Sequence, residues 1–246
     1  MKDIVIKTHK LTKKFGDFVA TNEVTFEVER GEIFGFLGAN GAGKTTAMKM
    51  LSGLLRPSYG EAMVAGFDVY KETEKIKRNI GYMSQKFSLY EDLTVEENIR
   101  FYGGIYGLSN RQIKEKSTAL LERLNLMRDA KTLVASLPLG WKQKLSFSIA
   151  IQHEPTIVFL DEPTGGVDPV TRRQFWDMIY EAAASGITVF VTTHYMDEAE
   201  YCNRVSIMVD GVIEALDSPA GLKTRFNAHD MDEVFHQLAR GAKRGE

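Results

Sequence analysis

Residues 38–45 read Gly-Ala-Asn-Gly-Ala-Gly-Lys-Thr and match G-x-x-x-x-G-K-[ST] at every fixed position. Glycines let successive backbone N–H groups turn inward and surround phosphate oxygens. Lys44 adds a positive charge at the outer phosphates, and the Thr45 hydroxyl is placed to ligate Mg²⁺. The spacing therefore assigns Asn40, Gly41, Ala42, Gly43, Lys44, Thr45 and Thr46 to a nucleotide-phosphate cradle. A glycine-rich turn without ligand is the competing reading. A chance match in a chain of this length occurs about once in a hundred.

A second constellation follows. Ile157-Val158-Phe159-Leu160 is a short apolar run that ends in Asp161-Glu162. Two carboxylates at the end of a buried strand repel each other and lose solvation, and a metal relieves that cost. Standing alone, the pair would read as an exposed acidic turn. Gln85 comes after the apolar strand Gly81-Tyr82-Met83, and His194 ends the core strand Val191-Thr192-Thr193. By themselves they would read as a polar strand end and a structural histidine.

The elements that position these groups are legible in outline. Val24, Phe26 and Val28 alternate with polar residues, as in a half-buried antiparallel strand. Ile33-Phe34-Gly35-Phe36-Leu37 is nearly all apolar, as in a strand buried on both faces. An apolar helix with Met48, Met50, Leu51 and Leu54 should follow the loop from near Thr45, its positive end toward the phosphates. Thr94-Val95-Glu96-Glu97 and Ser109-Asn110-Arg111-Gln112 are capping boxes, each predicting a helix start. Ile113, Leu120, Leu121 and Leu124 share one face of the second helix. Asp168-Pro169 is an N-cap with proline at the first helical position, opening a helix with Phe175, Trp176 and Ile179. Asp210-Gly211 marks a hairpin. The tail after Ser218 reads as polar and helical in pieces.

In their order and co-occurrence these motifs resemble the nucleotide-binding subunit of ABC transporters, from about Val5 to Phe235. The resemblance implies an α/β fold: a P-loop NTPase core with an N-terminal antiparallel β subdomain and an inserted helical subdomain. It implies one ATP-binding domain over 1–246, with the core in 1–86 and 154–246 and the helical subdomain in 87–153. Asp161 would hold Mg²⁺ and Glu162 would polarise the attacking water. Gln85 would contact Mg²⁺ or water, His194 the γ-phosphate, and Phe15 the adenine, with Phe18 as the other candidate. Gly165-Gly166-Val167-Asp168 resembles the D-loop of the dimer interface. The segment usually reading Leu-Ser-Gly-Gly-Gln is degenerate here: Leu137-Pro138-Leu139-Gly140-Trp141. Pro138 has no N–H or hydroxyl to offer, while the Gly140 N–H and the helix dipole could still serve an anion.

The implied activity is hydrolysis of Mg²⁺-ATP that powers a membrane transporter, most like an exporter. The implied partners are a transmembrane permease subunit and a second ATP-binding domain, identical or not. Phe87, Leu89, Tyr90, Phe101, Tyr102, Ile105 and Tyr106 offer a permease-docking surface or simply pack the helical subdomain. A soluble ABC ATPase of translation or DNA repair and a low-turnover regulator are the alternatives. The 246 residues carry a net charge of −2 from 31 basic and 33 acidic side chains, which argues against a nucleic-acid partner. No apolar run approaches 18 residues, and one cysteine, Cys202, permits no internal disulfide. The expected location is the inner face of the cell membrane, reached through the permease.

Overall fold

The computed structural model describes residues 3–85 and 89–240. Phe87 therefore lies outside the described residues. Strands β1 (Ile4–Phe15) and β2 (Phe18–Glu29) form an antiparallel hairpin. Gly16, with φ 57°, makes its turn. Val24, Phe26 and Val28 are buried, as their alternation predicts. With β4 (Tyr59–Val64) and β5 (Phe67–Asp68) they make a four-stranded sheet in the order β2-β1-β4-β5.

The second sheet is built from β3 (Ile33–Leu37), β6 (Ile80–Met83), β7 (Ile157–Asp161), β8 (Thr188–Thr193), β9 (Arg204–Val209) and β10 (Val212–Asp217). Its order is β10-β9-β3-β8-β7-β6. All neighbours run parallel except the β9–β10 hairpin. Asp210 (φ 49°) and Gly211 (φ 89°) turn that hairpin, both left-handed as an Asp-Gly turn requires. The C-terminal ends of β3, β7 and β8 carry Leu37, Asp161 and Thr193, so the phosphate loop, the acid pair and His194 leave the sheet side by side.

Every residue of β3, β7 and β8 is buried, because the sheet is covered on both faces. On one face the four-stranded sheet and α1 (Lys44–Leu51) pack on Phe34, Phe36, Phe159 and Phe190. Phe26 of β2 stacks on Phe34 at 5.4 Å and lies 6.1 Å from Phe190. Such a ring pair contributes about 0.5–1.5 kcal/mol beyond its buried area, and these pairs bind the two sheets together. On the other face α5 (Leu139–Ile151) and α6 (Pro169–Ala184) bury Phe147, Phe175 and Trp176 against Val189 and Val191.

Between β6 and β7 run α3 (Val95–Ile105), α4 (Asn110–Arg123) and α5. Both capping boxes form: Thr94 and Glu97, and Ser109 and Gln112, exchange reciprocal hydrogen bonds. The last of these helices, α5, packs back onto the core. A Cβ on Gly81 would come 2.1 Å from the Ala150 carbonyl oxygen, so only glycine lets β6 approach α5 this closely.

Two expectations are corrected, and one further helix was not anticipated. Helix α1 begins at Lys44 and ends at Leu51, leaving Leu54 outside it and exposed. The tail is not simply polar: α7 (Pro219–Phe226) and α8 (Met231–Ala239) bury Leu222, Met231 and Val234 in the apolar cluster on the α5–α6 face of the sheet. Helix α2 (Thr73–Asn79) was not anticipated, since Ile76 is its one buried residue and no apolar stripe marks it. Among the described residues, no helix is long and apolar enough to cross a membrane.

Candidate nucleotide site

The loop from β3 to α1 is closed by sterics as well as by sequence. Gly38 (φ 155°) and Gly43 (φ 108°) take backbone conformations that L side chains rarely adopt. A Cβ would sit 2.4 Å from the Met208 carbonyl oxygen at Gly38, and 2.4 Å from that of Ala20 at Gly43. Strands β9 and β2 thus wall the loop on two sides. Ala39, Asn40 and Gly41 are exposed at its tip, and Ala42 donates to Ala39 O at 3.2 Å. No side chain caps α1. Its first amides and its dipole therefore face the loop, an arrangement suited to an anion.

Lys44, only 4% exposed, donates to the carbonyl oxygens of Gly38 (2.6 Å) and Ala39 (3.1 Å). Its ammonium lies 3.6 Å from Glu162 Oε1. Burial pushes the lysine below its usual pKa, and the Glu162 carboxylate pulls it back up. Asp161, at the end of β7, accepts from the hydroxyls of Thr45 (3.1 Å) and Thr192 (2.7 Å). Glu162 is left-handed at φ 49° and donates its N–H to Thr192 O at 3.1 Å. Its Oε2 accepts from Gln85 Nε2 at 2.8 Å. His194 Nδ1 lies 3.1 Å from the same oxygen, at ion-pair distance but without the alignment of a hydrogen bond.

One carboxylate thus meets a lysine, an amide and an imidazole, and the neighbouring one meets two hydroxyls. Among the described residues, no cluster of three or more His, Cys, Asp or Glu side chains is arranged to hold a metal. The Thr45 hydroxyl and Asp161 carboxylate are hard oxygen donors 3.1 Å apart. That set fits Mg²⁺, which keeps several waters and takes phosphate oxygens for much of its shell. Thr192 is a contributor that sequence reasoning missed. Its only signal was a hydroxyl on a core strand opposite the acid pair.

Phe15 ends β1, is 50% exposed, and has Lys13 Nζ 5.0 Å from its ring centre. Phe18, its partner across the hairpin, is 53% exposed, so neither ring is part of the core. Because Ala20 touches Gly43, this hairpin end stands beside the phosphate loop.

The sequence profile described as "ABC transporter" matches residues 21–165, more than half of the chain. The chain belongs to the ABC transporter family. It is 50% identical over 242 residues to the "Probable multidrug ABC transporter ATP-binding protein YbhF" of Escherichia coli. That alignment covers 96% of this chain and 42% of YbhF, so the chain spans less than half the length of that relative. It is 34% identical over 222 residues to the "Linearmycin resistance ATP-binding protein LnrL" of Bacillus subtilis, covering 90% of this chain and 71% of LnrL. A solved dimer of the ATP-binding cassette MJ0796 in a post-hydrolysis state, bound to ADP and Pi, superposes with a TM-score of 0.78 at 26% identity. The alignment spans 87% of this chain and 98% of that one. The fold is that of ABC ATP-binding subunits, with a P-loop core and an antiparallel sheet.

In this ABC chain the degenerate signature segment opens α5. Pro138 is the N-cap and offers no side-chain cap. Leu139 is 40% exposed. Gly140 packs on Thr171 of α6, where a Cβ would come 2.6 Å from a methyl group. Residues 138–141 and 166–168 line a cleft of about 370 Å³. Among the described residues, no hydrogen bond or ion pair joins Gly140 to the Lys44–Glu162 cluster. Within its own chain, Gly140 lines a separate cleft.

Proposed function

We propose that this chain binds Mg²⁺-ATP and hydrolyses it to power a transmembrane permease, in a transporter of the exporter type. The observation that carries the reading is the convergence of Lys44, Gln85 and His194 on the Glu162 carboxylate, beside the Asp161–Thr45 pair. The loop amides and Lys44 bind the phosphates. Thr45, Asp161 and Gln85 would hold the metal, which when bound adds positive charge at the β- and γ-phosphate oxygens. Glu162 orients water in line with the γ-phosphate and takes its proton, and His194 contacts the γ-phosphate oxygens. Phe15 stacks on the adenine. Gly140, at the head of α5, serves the nucleotide of a second ATP-binding domain, identical or not. The paired MJ0796 domains with ADP and Pi support that arrangement.

Residues 1–246 act as one ABC-type ATP-binding domain with the core in 1–86 and 154–246 and the helical subdomain in 87–153. The permease docks on the helical segment, where Tyr90, Phe101 and Ile105 are exposed and the first two rings meet edge to face at 4.9 Å. Leu89 is buried, and Tyr102 and Tyr106 are half-buried, so these three serve packing. Through the permease the chain sits on the inner face of the membrane. The transporter and resistance roles named for YbhF and LnrL favour transport over translation or repair. Replacing Glu162 with Gln should lower the rate of ATP hydrolysis about 10²–10⁴-fold while nucleotide affinity stays within a few-fold. A variant that still turns over at the parent rate would refute the assignment.

A further inference from the structure

Glu162 holds a left-handed backbone, which is strained for a non-glycine residue and persists only where the surroundings enforce it. Two enforcing contacts are direct: its N–H bonds to Thr192 of β8 and its carbonyl accepts from Gly165 N–H at 3.2 Å. The third is indirect. Thr164, two residues on and 1% exposed, donates its hydroxyl to Glu198 Oε1 at 2.5 Å. Glu198 belongs to the short 3-10 helix Met196–Tyr201, which begins two residues after His194. Its side chain is 0% exposed.

The cost of burying that carboxylate is only partly offset. Arg172 Nε of α6 lies 3.7 Å from Oε1, too far for a hydrogen bond, and among the described residues Oε2 has no hydrogen-bond partner. An apolar side chain of the same volume would satisfy the core better. Arg172 also reaches Asp197 at 3.4 Å and lies over the Tyr195 ring, 4.5 Å from its centre. Tyr195 in turn packs on His194, with ring centres 4.1 Å apart. Arg172 sits in the first turns of α6, the helix that Asp168 caps. The strap after Glu162, the segment after His194 and the helix after the D-loop therefore meet at one buried acid.

We propose that Glu198, acting through Thr164, is a positioning residue that sets the Glu162 carboxylate against His194 and couples both to α6. The idea rests on Glu162 being the group that activates water. Glu198 touches neither nucleotide nor water. Its effect is transmitted by the Thr164 hydroxyl, and Arg172 limits its freedom to turn away. Loss of the Thr164 hydroxyl frees the strap, so the carboxylate samples orientations that do not face the water. A misplacement of about 1 Å is enough to cost about a hundredfold in rate.

The test measures kcat and KM for ATP, together with the urea-unfolding midpoint, in five full-length variants. Thr164→Val keeps the shape and removes the hydroxyl, and kcat should fall about ten- to a hundredfold with KM within about threefold. Thr164→Ser should restore kcat to within about threefold of the parent, a rescue that bulk packing would not give. Glu198→Gln should lower kcat and, combined with Thr164→Val, should add little further loss. Glu162→Gln is the reference for the parent reading. If it still hydrolyses ATP, that reading fails and the positioning role with it. If Glu162→Gln is inactive but Thr164→Val turns over normally, the positioning role alone is overturned. A Thr164→Ser variant as impaired as Thr164→Val, or losses shared equally between kcat and KM, also overturns it.

Discussion

His153 follows α5 at the joint between the helical segment and β6. Its ring stacks on Tyr106 with centroids 3.8 Å apart and planes within 10°. Its Nε2 lies 3.1 Å from the Ile80 carbonyl oxygen. Burial pulls the imidazole from 6.5 down to about 4, the Ile80 carbonyl opposes the fall, and the Lys116 ammonium adds to it. Between pH 6.5 and 4 the unfolded chain binds more protons at this site than the folded one, so stability falls as pH drops through that window. Two fixed pKa values of 6.5 and 4 give a loss of about 2 kcal/mol between pH 7 and pH 5, which water reaching part of the ring trims to about 1–2 kcal/mol. Substituting His153→Phe keeps the stack and drops the bond to Ile80, costing about 1 kcal/mol at pH 7. It also removes the titration. Urea unfolding of parent and variant at pH 7, 6 and 5 isolates the term, because the shared carboxylates cancel in the difference. The parent should lose about 1–2 kcal/mol more than the variant over this range. Equal losses in the two proteins would refute the reasoning.

The signature segment gives a second prediction. Pro138 has φ −56° and ψ 150°, a backbone that serine adopts readily as an N-cap. A serine cap gains about 1 kcal/mol, while losing proline's restriction of the unfolded chain costs about 0.4–1 kcal/mol. Pro138→Ser with Leu139→Gly should therefore leave stability nearly unchanged. In a Glu162→Gln background it should tighten ATP-dependent pairing about tenfold or more, as one regained hydrogen bond to a charged group predicts. Sedimentation velocity with and without ATP checks this, and unchanged pairing would count against the trans contact. Third, Phe15→Ala should weaken ATP binding about fivefold to a hundredfold, the range expected for a lost base–aromatic stack, while Phe18→Ala changes it less than twofold. Fluorescent-nucleotide titration distinguishes the two rings, and the reverse ranking would transfer the stack to Phe18.

The parts legible in the sequence were those governed by local rules. Two capping boxes, the Asp168-Pro169 helix start and the Asp210-Gly211 turn each need only a few neighbouring residues, and the structure contains all four. Strands β3 and β7 were legible because burial on both faces leaves an unbroken apolar run. Helix α2 was not, since one buried isoleucine makes no stripe. The apolar faces of α7 and α8 were diluted by their polar neighbours. Within the site, types and spacing marked Lys44 and the Asp161–Glu162 pair, whereas Gln85 and His194 were assigned through the family resemblance. That Gln85 and His194 meet at one oxygen of Glu162 depends on the order of β6, β7 and β8 in the sheet. The Thr164–Glu198 contact joins residues 34 apart. A buried acid looks like any surface glutamate until the fold encloses it.

The central claim is that the glycine-lined loop and Lys44 hold a magnesium-bound triphosphate. The most direct measurement is isothermal titration of Mg²⁺-ATP into the Glu162→Gln protein and into the same protein carrying Lys44→Ala. The account predicts saturable one-to-one binding in the first and at least a tenfold weaker affinity in the second, the range for losing a charge-assisted hydrogen bond. No saturable heat in the first protein, or equal affinity in both, would contradict it.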